Sequence, residues 1–140
     1  MNITVTVSAL VYPTEIEEKV RIAITNIFPA ELALRNFGIP QLYCGGGLES
    51  LRKFHMLLRD LRILDTSRRI FMNNMEGNTI QFRLNKQVAF VGKVNFPVGE
   101  ESLGSIDVEI CSDNEEDLMK IIDWLAPETK DGEPVMEMEL

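Results

Sequence analysis

Alternating apolar and polar residues predict strands at four places along the chain. Residues 3–11, 79–84 and 105–110 carry an apolar side chain at about every second position. Because successive side chains of a strand point to opposite faces of a sheet, each stretch would bury one face. Residues 88–96 show a similar alternation and predict a further strand.

Apolar residues three and four positions apart predict helices between these strands. Thr14 with Glu17, and Ser112 with Glu115, have the spacing of a capping box, and Asp65 is expected as the N-cap of a third helix. The predicted helices cover residues 14–28, 48–62, 65–76 and 112–126.

The element order β-α-α-α-β-β-β-α predicts an α+β fold. Strands joined by short turns pair antiparallel, so we expect a four-stranded, largely antiparallel sheet with the helices packed on one side. Residues 30–47, which end in YCGGG, are interpreted as a connection. We expect a single domain over residues 1–127, followed by a polar and partly mobile C-terminal tail over residues 128–140.

The composition is that of a soluble globular protein. Of the 140 residues, 45% are hydrophobic and 26% are charged. No apolar run approaches the roughly 18 residues of a membrane span, and the N-terminus lacks the pattern of a signal peptide. Cys44 and Cys111 fit free thiols in a reducing compartment. We therefore predict a cytoplasmic protein without membrane contact.

Charge is segregated along the sequence. The net charge is −8, to which residues 1–49, 50–99 and 100–140 contribute −2, +6 and −12. The acidic total argues against indiscriminate nucleic-acid binding. The basic middle and the acidic end either pair with each other inside the fold or form separate surfaces, in which case the basic middle of one copy can meet the acidic end of another.

The segment FRLNKQVAFVGKVNF, residues 82–96, has two compatible interpretations. It carries Arg83, Lys86 and Lys93 and no carboxylate, although the whole chain is acidic. The polar residues 85–87 fit a tight turn between two strands. Because a turn is exposed, the same residues can also contact a negatively charged ligand.

Six polar side chains are the candidates for RNA contact. Basic side chains bind phosphates, and an amide can bond a base edge or a ribose 2′-hydroxyl. The alternative is a solvated helix face with internal pairs such as Arg62 with Asp65. Phe90 and Phe96 occupy the alternate positions of the predicted strand that are expected to be buried. Buried rings cannot stack on bases, so recognition of RNA shape and phosphate is favoured over base stacking. The predicted RNA-binding residues are Arg83, Lys86, Gln87, Lys93, Arg68 and Arg69.

Two carboxylates count against an RNA site on the sheet. Asp107 and Glu109 lie two residues apart on one predicted strand, so both point to the same polar face. They can bind a divalent cation, pair with Arg83 across the sheet, or only keep the face soluble. If that face is the open one, it would repel RNA unless the basic strand neutralises it.

The sequence shows no catalytic or metal-binding constellation. CGGGLES, residues 44–50, lacks the Gly-Lys-Ser/Thr ending of a nucleotide-binding loop. His55 is the only histidine, and the two cysteines are far apart in the sequence. The sequence therefore does not contain the ligand spacing of a zinc tetrad or the pairing of a Cys-His nucleophile. We therefore predict no enzyme activity, no metal and no cofactor.

Six blocks spread over nearly the full length of the chain are recognisable: VYPTE (11–15), NIFP (26–29), LRILDTSR (61–68), LNKQVAFVGK (84–93), LGSIDVEI (103–110) and WLAPETKDG (124–132). Together they resemble a family of uncharacterised archaeal proteins described as predicted RNA-binding proteins and sometimes grouped with predicted exosome subunits. The resemblance implies a fold like that of the fifth protein of the large ribosomal subunit, with a distant likeness to double-stranded-RNA-binding domains. It implies no enzyme activity and assigns no ligand residue.

Two hypotheses for function follow from these observations. The first is a non-enzymatic RNA-binding accessory protein that contacts structured RNA through the basic middle of the chain. The second is a homodimer or assembly module without a nucleic-acid ligand, held together by the polarised charge.

Overall fold

The computed structural model describes residues 1–99 and 101–140. The strands are β1 (Ile3–Leu10), β2 (Ala33–Phe37), β3 (Ile39–Gly46), β4 (Met75–Glu76), β5 (Thr79–Leu84), β6 (Ile106–Ser112), β7 (Thr129–Lys130) and β8 (Glu133–Pro134). The helices are α1 (Glu17–Ile27), α2 (Arg52–Asp60), α3 (Leu64–Asn73), α4 (Lys86–Phe90) and α5 (Glu115–Leu125), and a 3₁₀ turn (Leu48–Leu51) leads into α2.

The predicted α+β fold with an antiparallel sheet is confirmed, but the predicted strand number and element order are wrong. The main sheet has six strands in the order β2-β3-β1-β6-β5-β4, and each neighbouring pair is antiparallel. The additional strands are the β2–β3 hairpin and the short β4. Strands β7 and β8 form a separate small hairpin.

Residues 88–96 are not a strand, and residues 85–87 are not a turn between strands. Asn85 is instead the N-cap of the short helix α4, where its side-chain oxygen accepts a hydrogen bond from the Val88 backbone N–H at 2.9 Å. Gly92, with a φ of 79°, follows the helix and takes the left-handed conformation that ends it. A short run of apolar residues fits either a strand or a helix, and here the Asn85 cap favours the helix.

Residues 30–47, interpreted from the sequence as a connection of uncertain form, contain the β2–β3 hairpin. Phe37 and Ile39 face each other across the turn, and Gly38 between them has a φ of 107°. The Asn36 side-chain oxygen accepts a hydrogen bond from the Gly38 N–H at 3.2 Å. Glycine adopts positive φ without strain, and an asparagine side chain that bonds the backbone N–H two residues further on is typical of a turn.

The predicted N-caps of the first and third helices are not formed. The N-caps of α1 and α3 are Ile16 and Ile63, and neither has a side-chain cap. Asp65 lies in the first turn of α3, where it accepts a hydrogen bond from the Thr129 hydroxyl. A carboxylate in the first turn is still favourable because the helix dipole is positive there.

The last helix, α5, is capped two residues later than predicted. Its N-cap is Asn114, whose side-chain oxygen accepts a hydrogen bond from the Asp117 N–H at 2.8 Å. The Ser112 hydroxyl instead donates to the Asn114 carbonyl at 2.6 Å. Asn114 therefore takes the role expected of Ser112.

The helices cover one face of the sheet and leave the other face open. Phe54 of α2 lies at the centre of the core, with ring centroids 5.3 Å from Phe28 and 5.6 Å from Phe82. The strands bury alternate residues against these helices, as the sequence pattern predicts. We call the opposite side the open face. It carries Thr6, Ser8, Tyr43, Gln81, Arg83, Asp107 and Glu109.

The C-terminal segment, residues 128–140, lies against the helices. Met138 and Leu140 are partly buried on the core. The Nε and Nη2 groups of Arg59 donate to the two Glu137 carboxylate oxygens at 2.8 and 2.6 Å. The predicted domain boundary after residue 127 stays a prediction. No helix in residues 1–99 and 101–140 combines the length and apolar character needed to cross a bilayer.

Candidate nucleic-acid interface

A row of four side chains crosses the open face. Arg83 of β5 lies opposite Asp107 of β6, and Asp107 lies opposite Ser8 of β1. Ser8 in turn lies opposite Tyr43 of β3. Residues directly opposite in neighbouring strands point to the same face, so all four side chains line up across the sheet. With strands about 4.8 Å apart, the row from Arg83 to Tyr43 is about 14 Å long.

The Tyr43 end of the row carries a second arginine. The guanidinium carbon of Arg35, in β2, lies 4.2 Å from the centroid of the Tyr43 ring. The Arg35 Nε–H also donates to the Gln41 side-chain oxygen at 2.6 Å. The ring and the amide therefore hold the guanidinium plane over the sheet, where its outer side can stack on a flat ligand.

The two carboxylates of the open face lie in its middle, and polar neighbours bond both. Asp107 accepts a hydrogen bond from the Ser105 hydroxyl at 2.8 Å. Glu109 accepts one from the Gln81 amide at 2.7 Å. Positive charge therefore lies toward the two sides of the face, at Arg83 and Arg35, and hydrogen-bond acceptors lie between them.

A shallow depression of about 510 Å³ lies over the β5 side of this face. Its lining is mostly polar and offers donors and acceptors in a mixed pattern. It includes Thr6, Ser8, Asn74, Gln81, Arg83, Asp107 and Glu109. Such a lining suits a ligand that carries hydrogen-bonding edges as well as negative charge.

The predicted site residue Lys86 is buried, because residues 85–87 begin a helix and do not form an exposed turn. Its side chain is 6% exposed. The ammonium donates to the carbonyls of Leu10 and Leu103 at 2.7 and 2.6 Å and to a Glu15 carboxylate oxygen at 3.0 Å. All three ammonium protons thus have a partner inside the protein.

The other five predicted residues are distributed over both sides of the sheet. Arg83 is on the open face, whereas Arg69 lies on α3, which packs against the opposite face. Gln87 in α4 and Lys93 beyond it are exposed. Arg68 is mostly buried, at 19% exposure, and bonds the Asp123 carboxylate at 2.8 Å and the Ala126 carbonyl at 3.0 Å. The structure does not bring the six residues together.

The basic helices pair with the acidic C-terminal part of the same chain. Arg59 bonds Glu137, and Arg68 bonds Asp123 and lies 3.7 Å from a Glu128 oxygen. Of the two interpretations of charge segregation, pairing inside the fold accounts for these contacts. Those carboxylates are thus already engaged within one copy.

His55 lies under the same C-terminal contacts. Its ring stacks on Trp124 with centroids 4.3 Å apart, and its buried Nε2 has no hydrogen-bond partner in the described residues. Burial, together with the nearby Arg59 guanidinium, lowers the pKa of His55. The ring therefore serves as packing for the helix layer. The described residues contain no group of three or more His, Cys, Asp or Glu side chains placed to hold a metal ion.

The sequence analysis missed Arg35 and Tyr43 because it placed them in a connection. Residues 33–37 are all exposed and lack the alternation that marks a half-buried strand. Two signals were present in the sequence: the turn-forming residues Asn36 and Gly38, and the alternation around Leu42 and Cys44. Together they would have placed Tyr43 on the open side of a strand.

Comparison with known proteins establishes the family. A family model described as RNA binding matches residues 4–112. A UPF0201 protein of Methanopyrus kandleri is 42% identical over 96% of this chain and 91% of its own length. The chain belongs to the UPF0201 family. In Archaeoglobus fulgidus, a UPF0200/UPF0201 protein is 39% identical over 99% of this chain but only 42% of its own length, so the UPF0201 unit also occurs within a longer chain.

Solved structures of the family share the fold. The crystal structure of a UPF0201 protein from Methanococcus jannaschii has a TM-score of 0.85 at 40% identity and covers 95% of this chain and 99% of that one. A protein of Archaeoglobus fulgidus assigned to family DUF54 has a TM-score of 0.67 at 25% identity, over 88% of this chain and 96% of that one. The family resemblance read from the sequence is thereby confirmed. The likeness to the ribosomal protein stays a prediction.

Proposed function

We propose that the chain binds RNA through the open face of its sheet and catalyses no reaction. The observation that carries the proposal is the row from Arg83 to Tyr43, which ends in Arg35 stacked on the tyrosine. The description of the matching family model as RNA binding supports the same function. The partner we propose is a structured RNA that presents unpaired nucleotides.

Phosphate contacts would come from the two sides of the face. Arg83 is exposed and forms no ion pair within residues 1–99 and 101–140, so its guanidinium is available to a phosphate. Arg35 can bind a second phosphate or stack on a base. Two such contacts give modest affinity that depends on salt, which is consistent with an acidic protein that does not bind nucleic acid indiscriminately.

Base contacts would come from the middle of the face. The carboxylates of Asp107 and Glu109 repel phosphates, but they accept hydrogen bonds from base amino groups and from 2′-hydroxyls. The Ser8 hydroxyl and the Gln81 amide can donate as well as accept. The carboxylates therefore direct the RNA backbone toward the sides of the face and its base edges toward the centre.

The test is fluorescence anisotropy with a hairpin RNA that has an unpaired loop, a blunt RNA duplex and a single strand, over a salt series. We expect the hairpin to bind more tightly than the duplex. Arg83→Gln should weaken binding and flatten the plot of log affinity against log salt by about 0.7 to 0.9, the contribution of one phosphate contact.

Arg69→Gln is the matched control, because it removes the same charge from an exposed position on the helix side of the sheet. It should leave the slope unchanged. Equal losses of RNA affinity in both variants would indicate that the binding site is not on the open face. No binding of any of the three RNAs at low salt would refute the proposed function.

A further inference from the structure

The two edges of the six-stranded sheet differ in how they are protected from pairing with another chain. The β4 edge is only two residues long and carries Glu76, and short charged edges resist strand addition. The β2 edge is five residues long, contains no proline, and is exposed at every residue. Two of its apolar side chains are prominently exposed, Leu34 at 48% and Phe37 at 88%.

We propose that the β2 edge pairs with the β2 edge of a second copy of this chain. The two strands would run antiparallel about a two-fold axis perpendicular to the sheet and join two six-stranded sheets into one. Such an axis keeps both helix layers on one side and both open faces on the other. Paired residues must then point to the same face, so only residues separated by an even number can be opposite each other.

The sequence around β2 is self-complementary in one of these registers. Residues 31–35 read Glu-Leu-Ala-Leu-Arg, with Ala33, the first residue of β2, at the centre and Glu31 and Leu32 just before the strand. An axis through Ala33 sets Glu31 of each copy opposite Arg35 of the other. On the opposite face it sets Leu32 against Leu34. Ala33, the smallest of the five side chains, lies at the axis itself. Both a charge pair and an apolar pair thus form twice, and such cross-strand pairs stabilise sheets.

Other registers of the same kind are less favourable. An axis through Arg35 would put the two guanidinium groups directly against each other, and like charges directly opposite are destabilising. An axis through Leu34 would put Glu31 against Phe37 and leave the carboxylate without a charged partner. The charged residues therefore favour the Ala33 register over the other two.

A groove beside this edge can receive the second copy. It has a volume of about 430 Å³ and lies between α1 and the chain that enters β2. Its apolar lining is Ile22, Ala30 and Leu32, and its polar lining includes Glu18, Arg21 and Glu31. Leu34 lies opposite the buried Leu42 of β3, so it points to the same side of the sheet as this groove. In the Ala33 register, Leu34 of the second copy meets Leu32 at the groove wall, which adds apolar burial to the strand pairing.

The experiment measures molar mass by light scattering and self-association by sedimentation, from micromolar to several hundred micromolar protein. We expect a dimer of twice the 15.9 kDa chain mass. Glu31→Arg and Arg35→Glu should each weaken the dimer by at least about tenfold, because each sets like charges opposite each other twice. The double variant E31R/R35E restores the opposite charges and should recover the dimer.

Two controls keep the proposal testable. Arg35→Glu also removes the contact with Tyr43, whereas Glu31→Arg leaves that contact intact, and circular dichroism verifies the fold of each variant. Arg69→Glu makes the same charge change away from the edge and should not affect the dimer. A monomer at every concentration, a dimer that neither single variant weakens, or a double variant that stays monomeric would each overturn the Ala33 register.

Discussion

Lys86 provides a quantitative test of the fold, because it is a buried cation with three internal partners. Replacing it with methionine keeps the length of the side chain and removes its charge and its donors. The substitution leaves the Glu15 carboxylate, which is 11% exposed, without its cation, and two carbonyls without their donor. Breaking a buried pair in this way costs about 3–5 kcal/mol, a large part of a domain stability of about 5–15 kcal/mol.

Urea unfolding followed by the fluorescence of the single tryptophan, Trp124, measures this cost. A double-mutant cycle with Glu15→Gln isolates the pair. Since both substitutions act on one contact, the double variant should lose about 1–3 kcal/mol less than the sum of the single losses. Additive losses would mean that Lys86 and Glu15 do not interact.

Lys93→Met is the matched control, because it makes the same chemical change at an exposed residue seven positions along the chain. It should change the free energy of unfolding by less than about 0.5 kcal/mol. A Lys86→Met variant as stable as the control would refute the buried ion pair. The same reasoning predicts that a charge reversal at Lys86 impairs RNA binding only through loss of folded protein.

Three further predictions concern the C-terminal contact, the core and the thiols. The hydrogen bonds from Arg59 lower the pKa of Glu137 below its ordinary value of 4.5, so Glu137→Gln should destabilise the protein at neutral pH. In urea titrations this difference should shrink as the pH falls below 4.5 and through the lowered pKa. Phe54→Ala should cost about 3–5 kcal/mol in the same assay because it empties the centre of the core. Burial raises the pKa of the Cys44 thiol, so mass spectrometry after brief alkylation should find Cys111 labelled before Cys44.

The sequence predicted the elements whose burial is regular. Val5, Val7 and Ala9 alternate with polar residues because β1 is central and packs one face on the helices. Strands β5 and β6 could be predicted for the same reason. The α+β class and the helix layer followed from these patterns. The edge strand β2 was missed because no residue in it is buried, so the pattern that reports burial is absent.

Local pattern also failed where a tertiary contact decides the structure. Val88 and Phe90 fit a strand as well as a helix, and the Asn85 cap together with the burial of Lys86 selects the helix. No spacing rule shows that Lys86 meets Glu15, which lies 71 residues away. On the open face, the sequence identified Arg83 and Asp107 as cross-strand candidates, and the register sets them opposite each other. The sequence could not show that Tyr43 lies in the same row, because that prediction requires the order of the strands in the sheet.

The most direct test of the open face as the RNA site is a two-dimensional amide NMR titration of the folded protein with the hairpin RNA. The account predicts that the amide signals that shift are those of Ser8, Tyr43, Gln81 and Arg83 and their neighbours in the strands. Signals from α2 and α3 should stay in place. Shifts concentrated on α3 around Arg69, with the strand signals unchanged, would contradict the proposed site.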